Sequence, residues 1–125
     1  MKSRLAILLW SPGPDAGDLC AAPFYYAAAA GAMDVEVEVH FAGRSVLLLV
    51  EGAAKSLPSA PGSELSVLHF MREARRFGAR FLACSQALDA RAVDRARLIA
   101  EVDGVAGATV FAARALDPDW ATLVF

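Results

Sequence analysis

Two residues of this chain carry nucleophilic sulfur, Cys20 and Cys84, and what they can do depends on where the backbone places them. Cys84 lies within Arg-Phe-Leu-Ala-Cys-Ser-Gln-Ala-Leu, residues 80–88. Phe81, Leu82 and Ala83 make a short apolar run suited to a buried strand, and Cys84, Ser85 and Gln86 fall where a strand gives way to a helical turn. A helix N-terminus offers unpaired N–H groups and roughly half a positive charge, both of which favour an anion over a neutral thiol. The thiolate is the nucleophilic form of cysteine. Ser85 adds a neutral hydroxyl able to bond either the sulfur or the freed backbone. The plain alternative is that Cys84 fills the core, since free cysteine is among the most buried residue types.

Cys20 falls in the first turn of an expected helix over residues 19–33, with Asp18 as its N-cap and Pro23 early enough that its missing N–H costs little. Both thiols then belong to the carboxyl edge of the sheet, where ligand sites of α/β folds gather. The two cysteines form neither a CxxC nor a zinc spacing, so no metal site is expected, and in a reducing compartment they are free thiols. His40 occupies a polar position of an alternating strand and reads as a solvated residue, although imidazole titrates near neutrality. His69, Arg72 and Arg76 form a polar helical stripe, also read as solvated surface.

Residues 4–10 are a continuous apolar run, as in a strand buried on both faces of a parallel sheet. Residues 11–18 form a proline-rich loop that lacks the GxxxxGK[ST] pattern of a phosphate loop. The run Ala-Ala-Ala-Ala-Gly-Ala at 27–32 gives the first helix a smooth surface for close packing on a sheet or a second subunit. Residues 34–41 alternate valine with Glu36, Glu38 and His40, which predicts an edge or half-exposed strand with one wet face. Residues 43–57 contain an apolar stretch read as a short helix, and 58–62 a loop. Ser63 is expected to cap a helix over 64–77 that buries Val67, Phe70, Met71, Ala74 and Phe77 and stops at Gly78. Residues 89–101 read as weakly helical, 105–116 as a last helix and 120–125 as a closing strand. The alternation predicts one domain over 1–125, an α/β doubly wound three-layer sandwich with a mostly parallel sheet of four or five strands.

The chain has 125 residues, enough for one full core. Its net charge of −2, with both signs interspersed, gives no electrostatic case for nucleic acid or an anionic membrane. No apolar run approaches the ~20 residues that span a bilayer. The start of the chain lacks a full signal-peptide core and cleavage site, so a cytoplasmic location is expected. A hydrophobic fraction of 57% is high for a soluble chain. Burial in a subunit interface or a sheet covered on both faces would account for it.

Taken in order, an N-terminal apolar strand, an alanine-rich helix leading into Met33-Asp34-Val35-Glu36-Val37, a helix into Gly78-Ala79 and a strand ending at Ala83-Cys84 resemble the DsrE/DsrF-like family, which includes TusD-type sulfur-relay proteins. Val105-Ala106-Gly107 through Trp120-Ala121-Thr122-Leu123-Val124-Phe125 is similar to that family's closing helix and strand. The resemblance covers nearly the whole chain. It implies that Cys84, matching the family's functional cysteine at a strand end, receives a sulfane sulfur as a persulfide and passes it to a partner thiol. It implies further that donor and acceptor proteins or small thiols are the partners, and that the chain assembles as a trimer or hexamer. Cys20 has no counterpart in the TusD-type pattern.

Three functions are therefore expected to compete. The first is a cytoplasmic sulfur carrier without cofactor, with Cys84 as the reacting group and Ser85 and Gln86 steadying the persulfide. The second is a redox thiol in which Cys20 resolves an oxidised Cys84, which needs Cα atoms within about 7 Å. The third is a non-catalytic oligomeric or ligand-binding domain in which Cys84 is inert.

Overall fold

A computed structural model describes residues 2–125. Five strands, β1 (Arg4–Leu9), β2 (Glu36–Phe41), β3 (Arg80–Cys84), β4 (Gly104–Ala106) and β5 (Trp120–Val124), form one sheet in the order β4-β3-β2-β1-β5. Every pairing is parallel. Four α-helices connect them, α1 (Gly17–Ala32), α2 (Val67–Arg76), α3 (Ser85–Ala90) and α4 (Ala108–Leu116), with 3-10 turns at Gly43–Leu49 and Arg95–Arg97. The chain steps from β1 to β4 in one direction and then jumps across β1 to β5. Because parallel crossovers are right-handed, this reversal sends α4 to the face opposite α1 and α2. The expected doubly wound α/β sandwich is thus the observed fold, with five strands.

The first face is the core. Ile7, Leu9, Val37, Val39, Phe41, Phe81 and Ala83 point from the strands towards Phe24 and Ala27 of α1 and Met71 and Ala74 of α2. The Phe24 ring centroid lies 5.9 Å from that of Phe41 and 5.7 Å from that of Phe81. The alanine run serves close packing here: a Cβ on Gly31 would stand 2.3 Å from the Phe77 carbonyl oxygen, so α1 approaches the end of α2 at backbone distance.

Local boundaries differ from expectation for identifiable reasons. Ala16, not Asp18, is the N-cap of α1, with no side-chain cap, and Asp18 sits in the first turn. Ser66 rather than Ser63 caps α2 by accepting from the His69 N–H, so the helix starts at Val67. Ser63 instead accepts from the Leu65 N–H inside the preceding turn. Leu68, not Phe70 or Phe77, completes the buried face of α2, and Phe77, just beyond the helix, is exposed. Residues 105–116 are not one helix: Gly104–Ala106 pairs with β3 as a fourth strand, and Gly107 is the N-cap of α4. Asp103 fixes that junction, its Oδ2 accepting the Phe81 N–H at 2.7 Å while Oδ1 meets Arg75 at 2.8 Å. Arg72 and Arg76 are exposed and paired with Glu101 and Glu73, in line with a solvated stripe.

The largest correction concerns β2. It is the middle strand, and its polar side is roofed by α4. The alternation is real, but the face is sealed: Glu38 is 1% exposed and His40 is 5% exposed.

Candidate thiol site

Strand alternation and register place Leu8, His40 and Cys84 on the α4 side of the sheet, at its carboxyl edge. Together with Ala42, Ala106, Gly107, Ala108 and Phe111 they line a pocket of ≈ 140 Å³. Cys84 ends β3 and is the N-cap of α3, the strand-to-helix junction expected from its neighbours. It is a free, half-buried thiol.

Its immediate partner is Gln86. The Cys84 thiol donates to Gln86 Oε1 at 3.2 Å, and the Ser85 hydroxyl lies 3.5 Å from the same oxygen. Ser85 therefore reaches the amide, not the sulfur. Gly107 keeps this corner open, since a Cβ there would stand 3.2 Å from Gln86 Oε1 and 3.3 Å from its Nε2.

His40, in the pocket wall, belongs to a charged network that lies behind it. Arg114 donates from Nε and Nη2 to the two carboxylate oxygens of Glu38, at 3.0 and 3.1 Å. Glu38 Oε1 also lies 3.0 Å from His40 Nε2. Burial alone would raise the Glu38 carboxyl, but the bonds from Arg114 and His40 outweigh it and hold it below the usual carboxylate range. A carboxylate only accepts, so Nε2 carries the imidazole proton and Nδ1 the lone pair. Burial pushes His40 below the usual imidazole range against the opposing pull of Glu38, which keeps the ring neutral at pH 7. The His40 ring meets Phe111 edge-on at 5.3 Å, and Arg114 lies 4.5 Å over the Trp120 ring.

Cys20 is elsewhere. It is fully buried with the core residues of the opposite face, and its thiol donates to the Gly13 carbonyl at 3.1 Å. Burial pushes its thiol up to about 11. The structure thus does not bring Cys20 into the Cys84 pocket. Among the described residues no three His, Cys, Asp or Glu side chains group to hold a metal ion, and no helix is long and apolar enough to cross a membrane.

The sequence reading missed Glu38, Arg114, Phe111 and Gly107 and took His40 for surface. Two signals point to them: Glu38 and His40 stand two apart on one strand face, and Arg114 is the only charged residue of α4.

A parallel five-stranded sheet with a thiol at its carboxyl edge defines an α/β protein with a strand-end cysteine site. The chain belongs to the DsrE/DsrF-like family, whose model matches residues 6–125. Solved structures with the same fold include the YchN protein of E. coli, at TM-score 0.74 and 14% identity over 98% of this chain and 99% of that one. A protein of unknown function from Methanobacterium thermoautotrophicum, MTH1491, matches at 0.67 and 21% identity over 99% and 100% of the two chains. Another from Bacteroides thetaiotaomicron, BT1422, matches at 0.68 and 15% over 98% and 95%. Among curated proteins none matches the chain.

Proposed function

We propose that this protein is a sulfur-relay carrier that accepts a sulfane sulfur as a persulfide on Cys84 and hands it to a second thiol. The observation that supports this reading is the placement of Cys84, a half-buried free thiol in the wall of a pocket at the carboxyl edge of a DsrE/DsrF-like sheet. In the loading step the Cys84 thiolate attacks the outer sulfur of a donor persulfide. A sulfur–sulfur bond forms at Cys84, the donor's own bond breaks, and the donor leaves as a thiolate. Unloading is the same exchange with Cys84 as leaving group. No oxidant, metal or organic cofactor is needed, and the rate depends on thiolate fraction and access.

Gln86 suits both states of the sulfur. Its Oε1 accepts from a neutral thiol, and a half-turn of the amide brings Nε2 to the same place as a donor to an anionic persulfide. The Ser85 hydroxyl lies beside the same end of the amide, 3.5 Å from Oε1. The donor and acceptor are proteins or small thiols, and the carrier works in the cytoplasm as a trimer or hexamer. The exposed side chains of Tyr26, Met33, Leu116 and Val124 are apolar surface such an assembly would cover. Cys20 resolving Cys84 is the weaker reading, because Cys20 is buried in the opposite layer with its proton held on sulfur. Loading with a small persulfide donor, read by intact mass on wild type, Cys84→Ser and Cys20→Ser, tests the proposal.

A further inference from the structure

Sulfur exchange at Cys84 requires a proton to leave the thiol on loading and a proton to reach the departing donor sulfur. A half-buried thiol in a mostly apolar pocket has few groups to manage this. Leu8, Ala42, Ala106, Ala108 and Phe111 offer no side chain that titrates. His40 is the titratable side chain that shares the pocket with Cys84.

His40 is also held as a base would be. Its ring is 95% buried, with Nε2 committed to Glu38, and Glu38 is itself gripped by both donating nitrogens of the Arg114 fork. Nδ1 makes no hydrogen bond among the described residues. The charged and titratable groups facing the ring are Glu38 from its own strand, Arg114 from α4 and Cys84 from β3. Leu8 and Leu82, its register neighbours on β1 and β3, are apolar. A fixed carboxylate behind Nε2–H orients the imidazole and stabilises the imidazolium once it forms.

We propose that His40, positioned by Glu38 and Arg114, is the general base and acid for sulfur exchange at Cys84. This rests on the carrier reading of Cys84 and supplies its proton path. On loading, the Cys84 proton passes to His40 Nδ1 across the pocket, directly or through one water. The thiolate attacks the outer sulfur of the donor, whose sulfur–sulfur bond breaks, and the imidazolium returns its proton to the departing thiolate. The net reaction is one thiol and one persulfide giving one persulfide and one thiol, with no change of overall oxidation state.

The test is the rate of Cys84 persulfidation by glutathione persulfide, and separately of Cys84 alkylation by iodoacetamide, between pH 6 and 10 in wild type, His40→Asn and Glu38→Gln. The proposal expects persulfidation of His40→Asn to be slower by about 100-fold at pH 7, in the range for a lost general base, and to converge on wild type at the alkaline end of the range, where hydroxide takes the proton in place of the imidazole. Alkylation, which also needs the thiolate, should lose rate at pH 7 and converge in the same way. Glu38→Gln should show a smaller loss of the same pH dependence, and decides the matter if far-UV circular dichroism shows His40→Asn unfolded. Profiles that coincide with wild type at every pH, or fall by one constant factor throughout, would overturn the role of His40. Absence of persulfide on wild type, with alkylation still dependent on His40, would instead defeat the carrier reading and leave the base assignment standing.

Discussion

Arg114 and Glu38, far apart in sequence, meet through two parallel hydrogen bonds of 3.0 and 3.1 Å that fasten α4 to the middle strand of the sheet. The carboxylate is almost fully buried, whereas the arginine side chain keeps 31% of its exposure. The pair therefore joins α4 to the strand carrying His40. A bidentate fork of this kind fixes orientation as well as charge.

Replacing Arg114 by methionine leaves Glu38 charged and unpaired under the helix. Stability at pH 7 should fall by about 3 kcal/mol, the usual cost of breaking a buried pair. The loss should shrink near pH 4, because a protonated Glu38 no longer needs a cation. Urea unfolding of wild type and Arg114→Met at both pH values measures this.

Stability should fall on both sides of neutrality. His40 and Glu38 are both held below their ordinary ranges, so each binds its proton more readily in the unfolded chain. Their contributions are present above the unfolded values and are lost on acidification, first below about 6.5 for His40 and then through the carboxylate range. Cys20 works in the opposite direction. Its thiol is raised from 9.0 to about 11, so its contribution is complete below pH 9 and is lost as the pH climbs towards 11. Cys20→Ala should remove much of that alkaline loss, about 2 kcal/mol by the size of the shift, in unfolding curves between pH 8 and 11.

Gly107→Val should close the thiol corner without unfolding the chain. Its backbone is in a region open to any residue, but the new side chain would push against the Gln86 amide and enter the pocket. Labelling of Cys84 by a thiol reagent should slow markedly, with stability changed by about 1 kcal/mol or less. Unaltered labelling would mean that the reagent reaches Cys84 by another route.

The sheet's parallel plan was legible because its strands are short apolar runs separated by helical periodicity, and Cys84 was legible because the apolar run at 81–83 gives way to the polar residues Ser85 and Gln86 directly after it. The fourth strand was not, because Gly104–Ala106 is three residues long and continues without a break in composition into α4. Nor was the state of β2. Alternation reports which residues share a face but not whether another element covers that face, and the covering contact from Arg114 spans most of the chain. His40 was placed on the correct side of its strand and assigned the wrong environment for this reason. The failure of Cys20 to join the site has a similar origin: both thiols lie near the carboxyl edge, but only three-dimensional handedness assigns α1 to one face and the Cys84 side chain to the other.

The most direct measurement is intact mass after incubation of the reduced protein with a small persulfide donor, before and after a thiol reductant. The account predicts a gain of about 32 Da on wild type and Cys20→Ser, reversed by the reductant, and none on Cys84→Ser. A reversible adduct that persists in Cys84→Ser, or no adduct on wild type, would contradict it.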